Sequence, residues 1–377
     1  MDATSGRLLR TIPLGPTSYV GDPAYDNNFS FSRSRQPGVQ SLAIDEIARR
    51  VFVLQASKST TRTQSGVTPI TGQVRILDAA TGRISHTVPA GQNPLMLVAD
   101  APSGHLFVPD ASPAISVYDH RRGSIRMLSA VTGALARTIP VDPDVYVSAV
   151  GVDVQREHIL FQGAIQPRND GIAVIDAKTG AVSRHFTLGG RSCTSIILDD
   201  RANHLIAGGG EARISNQALV FAASTGALLR LVTLPSDPNG AAESCPTPLA
   251  VDSAASRAFI SIPPPYTVGS SYVSVLDTRS GQVVRTVNTG FGETTATAIA
   301  IDHQVGRTFV VDTVAQGPGL TVDINKLTVL DTRNGRVLQT MTLGQGPPVV
   351  AVDERTKRVF VVNGTDSTVS VLDASHA

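Results

Sequence analysis

The sequence predicts an all-β protein, a seven-bladed β-propeller built from four-stranded antiparallel blades. Three observations predict it. An apolar strand ending in Asp, followed by a tight turn and a basic residue, recurs seven times. A second pattern, strand–turn–Gly–strand, alternates with the first. The two chain ends each carry part of one repeat. A fixed period of roughly 50 residues with four strands per unit is the signature of radial repetition.

The first pattern reads LAIDEIARRVFVL (42–54), LVADAPSGHLFVP (97–109) and VGVDVQREHILFQ (150–162). It returns as IILDDRANHLIAG (196–208), LAVDSAASRAFIS (249–261), IAIDHQVGRTFVV (299–311) and VAVDERTKRVFVV (350–362). Its acids are Asp45, Asp100, Asp153, Asp199, Asp252, Asp302 and Asp353; five residues on stand Arg50, His105, His158, His204, Arg257, Arg307 and Arg358. These runs supply strands a and b. Strands c and d come from the second pattern, as in VRILDAATGRISHTVPAG (74–91) and VSVLDTRSGQVVRTVNTG (273–290). The turn Gly accepts a positive φ, and the flanking β-branched residues favour strand over helix.

The chain finishes with VSVLDASHA, a third strand ending at Asp373, and begins with DATSGRLLRTIPLG, a turn and a fourth strand. Residues 7–12 are therefore expected to pair with 369–373. That would complete a closing blade whose other strands come from about 348–373, and would remove two open sheet edges. The whole chain, 1–377, then forms one domain. Length alone would suggest two or three domains, but each repeat brings its own slice of core.

Composition narrows the function classes. The chain is 41% hydrophobic and 17% charged, hence globular. Its 32 basic and 31 acidic residues give no field to attract nucleic acid or an anionic membrane. Arg33, Arg35, Lys58, Arg62, Arg121 and Arg122 lack a register with stacking rings, so a single-strand binder is not expected. No apolar run is long enough to span a bilayer. The first residues lack the apolar segment of an export signal. The chain is expected to begin inside a longer precursor or after a removed signal.

Motifs such as VSVLDTRSGQVVRTVNTG and PPVVAVDERTKRVFVV resemble the YVTN-type β-propeller repeats of exported bacterial and archaeal proteins, over almost the whole chain. The resemblance implies an extracytoplasmic location: periplasmic, secreted or cell-surface. It implies no single function, because such propellers include surface-layer proteins, binding modules and enzyme-associated domains.

The two faces are expected to differ. The a–b and c–d turns are short and uniform. The opposite face carries a long connection at 14–37 and b–c loops at 55–72, 109–124, 163–171, 208–217, 262–271 and 312–326; only 364–368 is short. Long loops on one side of a compact scaffold are where binding concentrates. Nine residues before each strand-a Asp stand Gln36, Gly91, Asp144, Gly190, Glu243, Glu293 and Gly344. Asp144, Glu243 and Glu293, with Arg191, are expected to rim the channel mouth. Tyr146 and Asn93 complete the candidate ligand-binding set. Converging carboxylates could hold a divalent cation through oxygen, or divide acid and base roles. The competing reading makes them solvated loop charges.

Cys193 and Cys245 occupy near-equivalent places on adjacent inner strands. A disulfide between them, two buried thiols and a reactive thiolate are the three alternatives. His105, His158 and His204 would make tempting metal ligands, but Arg fills the same slot in the other four repeats. A turn device, with Asp bonding local amides, accounts for both. Tyr19, Tyr25, Phe29, Phe31, Tyr146, Tyr266 and Tyr272 fall toward the loop face and would contact a peptide or small ligand. The absence of Trp disfavours a lectin.

No phosphate-cradling Gly loop, nucleophile elbow, zinc-binding His pair or calcium loop is present. The sequence therefore favours a non-catalytic binding module for a small molecule, protein or peptide. The alternatives are a metal-assisted hydrolase, lactonase or lyase at the channel mouth, and a structural component of a surface layer or complex.

Overall fold

The computed structural model describes residues 8–14, 38–58, 70–92, 94, 96–110, 124–140, 145–153, 158–165, 169–176, 181–187, 192–209, 216–235, 247–262, 269–292, 295–316, 322–346 and 348–374. Every regular element among them is a strand. No helix among the described residues is long and apolar enough to cross a membrane.

β1 (Leu8–Pro13) opens the chain. Four strands at a time then form sheets in simple antiparallel order. The first sheet comprises β2 (Gly38–Asp45), β3 (Arg50–Lys58), β4 (Ile70–Asp78) and β5 (Ile84–Gln92). The second has β6 (Val98–Asp100), β7 (His105–Asp110), β8 (Ser124–Ser129) and β9 (Leu135–Pro140). It is the smallest, its first strand having three residues. The third has β10 (Val145–Asp153), β11 (His158–Ile165), β12 (Asn169–Asp176) and β13 (Val182–Thr187). The fourth has β14 (Ser192–Asp199), β15 (His204–Gly209), β16 (Gln217–Ala222) and β17 (Leu228–Thr233). The fifth has β18 (Thr247–Asp252), β19 (Arg257–Ile262), β20 (Gly269–Asp277) and β21 (Val283–Gly292). The sixth has β22 (Thr295–Asp302), β23 (Arg307–Gln316), β24 (Val322–Asp331) and β25 (Val337–Gln345). The last joins β26 (Pro348–Asp353), β27 (Arg358–Asn363) and β28 (Thr368–Asp373) to β1, in the order β1-β28-β27-β26. Leu8 stands opposite Leu372 and Ile12 opposite Val369.

These antiparallel blades make the fold a β-propeller. The first strands touch in series: β2 on β6, β6 on β10, β10 on β14, β14 on β18, β18 on β22, β22 on β26, and β26 on β2. Packing explains the sequence pattern. Second and third strands are covered on both faces by neighbouring sheets, so β15, β19 and β27 read as unbroken apolar runs buried along almost their whole length. Fourth strands stand outermost, and β9 and β17 bury one residue each.

The core lies between sheets. The third residue of the second strand is Phe52, Phe107, Phe259, Phe309 or Phe360 in five sheets, each fully buried. Phe52 packs with Leu106, Val108 and Leu128 of the next sheet; Phe309 packs with Val359, Val361 and Leu372. Phe360 does the same across the chain ends, with Leu42, Val51, Val53 and Leu77 beside Ile12 and Leu14. Burial of one such ring contributes about 1.5–3 kcal/mol.

Two expected loops are largely strand. Between 312 and 326, β23 and β24 continue their ladder from Asp312 opposite Lys326 to Gln316 opposite Val322. Between 163 and 171, β11 and β12 pair as far as Ile165 opposite Asn169. Alternating residues such as VDTVAQ extend the hairpin where apolarity alone marks its end.

Candidate functional site

The candidate ligand set from sequence falls mainly outside the described residues: Asn93, Asp144, Arg191, Glu243 and Glu293 all do, as does Cys245. Tyr146 lies on β10, its Cα opposite Ala164, and Cys193 lies on β14. Along the chain, Asp144 and Arg191 immediately precede β10 and β14, and Glu293 sits between β21 and β22. Those first strands are neighbours in the ring order β10, β14, β18, β22. Among the described residues no group of three or more His, Cys, Asp or Glu is arranged to hold a metal ion. Tyr19, Tyr25, Phe29, Phe31 and Tyr266 also fall outside the described residues. Tyr272, opposite Ile262 at the loop-side end of β19, is partly buried against the apolar cluster between the fourth and fifth sheets.

The opposite face is built for cohesion. Its a–b connections (46–49, 101–104, 154–157, 200–203, 253–256, 303–306 and 354–357) all have four residues. The strand-a carboxyl caps five of the six turns described in full: Oδ1 accepts the N–H three residues on, from Ala48, Ala202, Ala255, Val305 and Thr356 at 2.8–3.1 Å, whereas Asp100 Oδ1 is buried without a partner. At three positions the basic slot reaches the next sheet, while Arg50 and Arg257 pair with Asp78 and Asp277 of their own sheets. His204 Nδ1 bonds the Thr278 carbonyl at 2.8 Å, Arg307 the Ala374 carbonyl at 2.8 Å, and Arg358 the Ala79 carbonyl at 2.9 Å. His and Arg alternate because the position needs an N–H donor of suitable reach, which both supply. This accounts for the His204 slot without a metal.

A further chain of contacts crosses that face. His303 Nδ1 lies 3.2 Å from Asp252 Oδ1. The Glu354 carboxylate accepts the His303 N–H at 2.8 Å, and the Glu46 carboxylate accepts the Glu354 N–H at 2.8 Å. Burial raises the Glu46 carboxyl above its usual range; the Glu354 N–H opposes this, while the charges of Glu354, Asp353 and Asp302 add to it.

Sequence reasoning missed a buried polar bracket toward the loop face. Five residues beyond the basic slot stand Gln55, Asp312 and Asn363, all buried. Asp312 is wholly buried; Oδ1 accepts Thr289 Oγ1 at 3.3 Å, and Oδ2 has no hydrogen-bond partner. Burial pushes its carboxyl up to about 7, against the Thr289 hydrogen bond and the Lys326 charge. Asn363 ties three strands together. Its Oδ1 accepts the Gly344 N–H at 3.1 Å and Asn325 Nδ2 at 3.5 Å, and its Nδ2 donates to Ser370 Oγ at 2.9 Å and Thr368 Oγ1 at 3.1 Å. Gln55 Oε1 accepts Arg75 Nε at 2.9 Å. A carboxyl titrating near neutrality can hold or release a proton, but Asp312 is shut away from solvent. The bracket pins β27 at its loop-side end, and β23 and β24 a few residues inside their hairpin. The signal was available: polar residues recur at one fixed offset, and Gln55 and Asp312 were disguised as the first residues of loops.

Compared with models of known protein families and with curated proteins, the chain matches none. The β-propeller is established by its sheets, and what it does rests on the geometry of its two faces.

Proposed function

We propose that this chain is an extracytoplasmic binding module. It is read as a seven-bladed propeller of YVTN type, closed by β1 on β28, that takes a small molecule or a protein segment on its loop-rich face around the central channel. The observation that carries the reading is the difference between the faces. Every a–b connection has four residues, and Asp caps and inter-sheet donors tie that face together. On the other face, connections run from two residues between β21 and β22 to twenty-four between β1 and β2. A scaffold that fixes one face and frees the other is arranged for recognition. Balanced charge supports a ligand other than nucleic acid.

The second reading is an enzyme acting through a divalent cation held by Asp144, Glu243 and Glu293, with Arg191 neutralising charge on the substrate. Positions of these residues beside the starts of neighbouring inner strands favour it. Native mass spectrometry with elemental analysis of protein purified without chelators separates the two. The binding-module reading expects a retained organic ligand or partner, or none, and no metal that depends on these acids. A stoichiometric divalent metal lost in Glu243→Gln and Glu293→Gln would replace it with the enzyme reading. Peptide mapping without reductant tests the location: a Cys193–Cys245 disulfide fits an oxidising compartment.

A further inference from the structure

On the cohesive face, between the fourth and fifth sheets, an open cleft of about 390 Å³ is lined by Arg201, Ala202, His204, Arg230, Ser256 and Arg279. Three arginines and a histidine line it, without an acid among the lining residues. The acids close by in sequence are already used. Asp277 Oδ2 bonds Arg257 at 2.5 Å, and Asp277 Oδ1 accepts the Arg279 and Ser280 N–H groups. Asp200 Oδ1 accepts the Arg201 N–H, and buried Asp199 takes the Thr278 hydroxyl and the Ala202 N–H. The guanidinium groups of Arg201 and Arg279 have no ion-pair partner among the described residues. Arg230 gives one N–H to the Arg279 carbonyl and retains others.

Outermost-strand arginines also reach the next turn elsewhere: Arg10 bonds the Ala80 carbonyl and Arg285 the Asn334 carbonyl. That contact is part of the repeat. Arg201, added by the fourth sheet's own a–b turn, is what turns it into a cationic cleft; His204 fills the basic slot found in every sheet. Arginines lining one volume match an oxyanion, which can accept two parallel hydrogen bonds from each planar guanidinium.

We propose that this cleft binds a small molecule through a phosphoryl or carboxylate group. The proposal is independent of the loop-face reading and concerns the opposite side of the ring. Calorimetric titration of the full chain with pyrophosphate, and separately with citrate, at low ionic strength tests it. One-to-one binding of at least one anion is expected, and the two arms tell phosphoryl from carboxylate preference. Arg201→Gln or Arg279→Gln should each weaken binding about tenfold, about 1.4 kcal/mol. Arg333→Gln, at the matching turn position of the sixth sheet, should leave it unchanged. All three side chains are exposed, and equal thermal midpoints establish that the variants fold. No binding of either anion at several millimolar, or an equal loss in Arg333→Gln, would overturn the proposal.

Discussion

Thr278 and Ala374 occupy the same place in two different sheets, and the difference between them gives a quantitative test of the inter-sheet packing. The Thr278 N–H bonds the Ser256 carbonyl at 3.0 Å, and the Ala374 N–H bonds the Lys357 carbonyl at 2.9 Å. Their own carbonyls accept His204 and Arg307 of the preceding sheet, both at 2.8 Å. The two turns therefore sit alike on their neighbours. Thr278 also donates its hydroxyl to Asp199 Oδ2 at 2.5 Å, where Asp199 is fully buried. Ala374 has no hydroxyl, and the corresponding Asp302 Oδ2 is buried with no partner. Thr278→Val keeps the shape and strands a buried acceptor, which costs about 1–3 kcal/mol and more for a charged group. Ala374→Ser supplies the missing donor and should stabilise by about 1 kcal/mol. Urea unfolding at neutral pH, followed by circular dichroism, reads both. A Thr278→Val chain within about 0.5 kcal/mol of the parent, the level of an ordinary surface change, would refute the reasoning. So would an Ala374→Ser chain that loses as much as Thr278→Val.

Three further outcomes are expected. Phe309→Ala removes a fully buried ring shared by the sixth and seventh sheets, and should cost about 3–5 kcal/mol in the same unfolding assay. Asp312 keeps its proton up to about 7 when folded against 3.8 otherwise, so its stabilising contribution is fullest below about pH 4 and is lost as pH rises toward 7. A gap of roughly three pH units corresponds to about 4 kcal/mol, so the stability of Asp312→Asn relative to the parent should rise by about that amount between pH 4 and pH 8; a constant difference across that range would contradict the burial argument. Gly281 has φ +73° and a Cβ there would meet Arg230 Cδ at 2.9 Å, whereas Gly104 has φ +68° and open space. Gly104→Ala should therefore show only the left-handed backbone cost of about 1–2 kcal/mol, and Gly281→Ala a larger loss that Arg230→Ala partly relieves.

The strands were legible because their cause is local. Sheets covered on both sides need unbroken apolar second strands, and VFVLQ, TFVVD and VFVVN announce them at a fixed distance from Asp and a basic residue. The Asp caps were legible for the same reason, since the acceptor and the amide it bonds lie three residues apart. The inter-sheet role of the basic slot was not: His204 and Thr278 are 74 residues apart, and nothing in either segment names the other. Gln55 and Asp312 were hidden by a boundary error. A polar residue after an apolar run reads as the start of a loop, yet in the sixth sheet the ladder continues four residues past Asp312. The channel-mouth set, Asp144, Arg191, Glu243 and Glu293, could be located only by counting back from Asp, which gives a place on the ring and no side-chain direction.

The division of labour between the two faces is tested most directly by site-specific photo-cross-linking in the cells that make the protein. A cross-linking residue in place of Tyr146, at the loop-side end of β10, is compared with one in place of Asn334, an exposed turn residue on the cohesive face away from the arginine cleft. Adducts are read by intact mass. The account predicts a recurrent adduct of defined mass from position 146 and none of comparable yield from 334. A defined adduct from 334 alone would place partner recognition on the clasped face and contradict it.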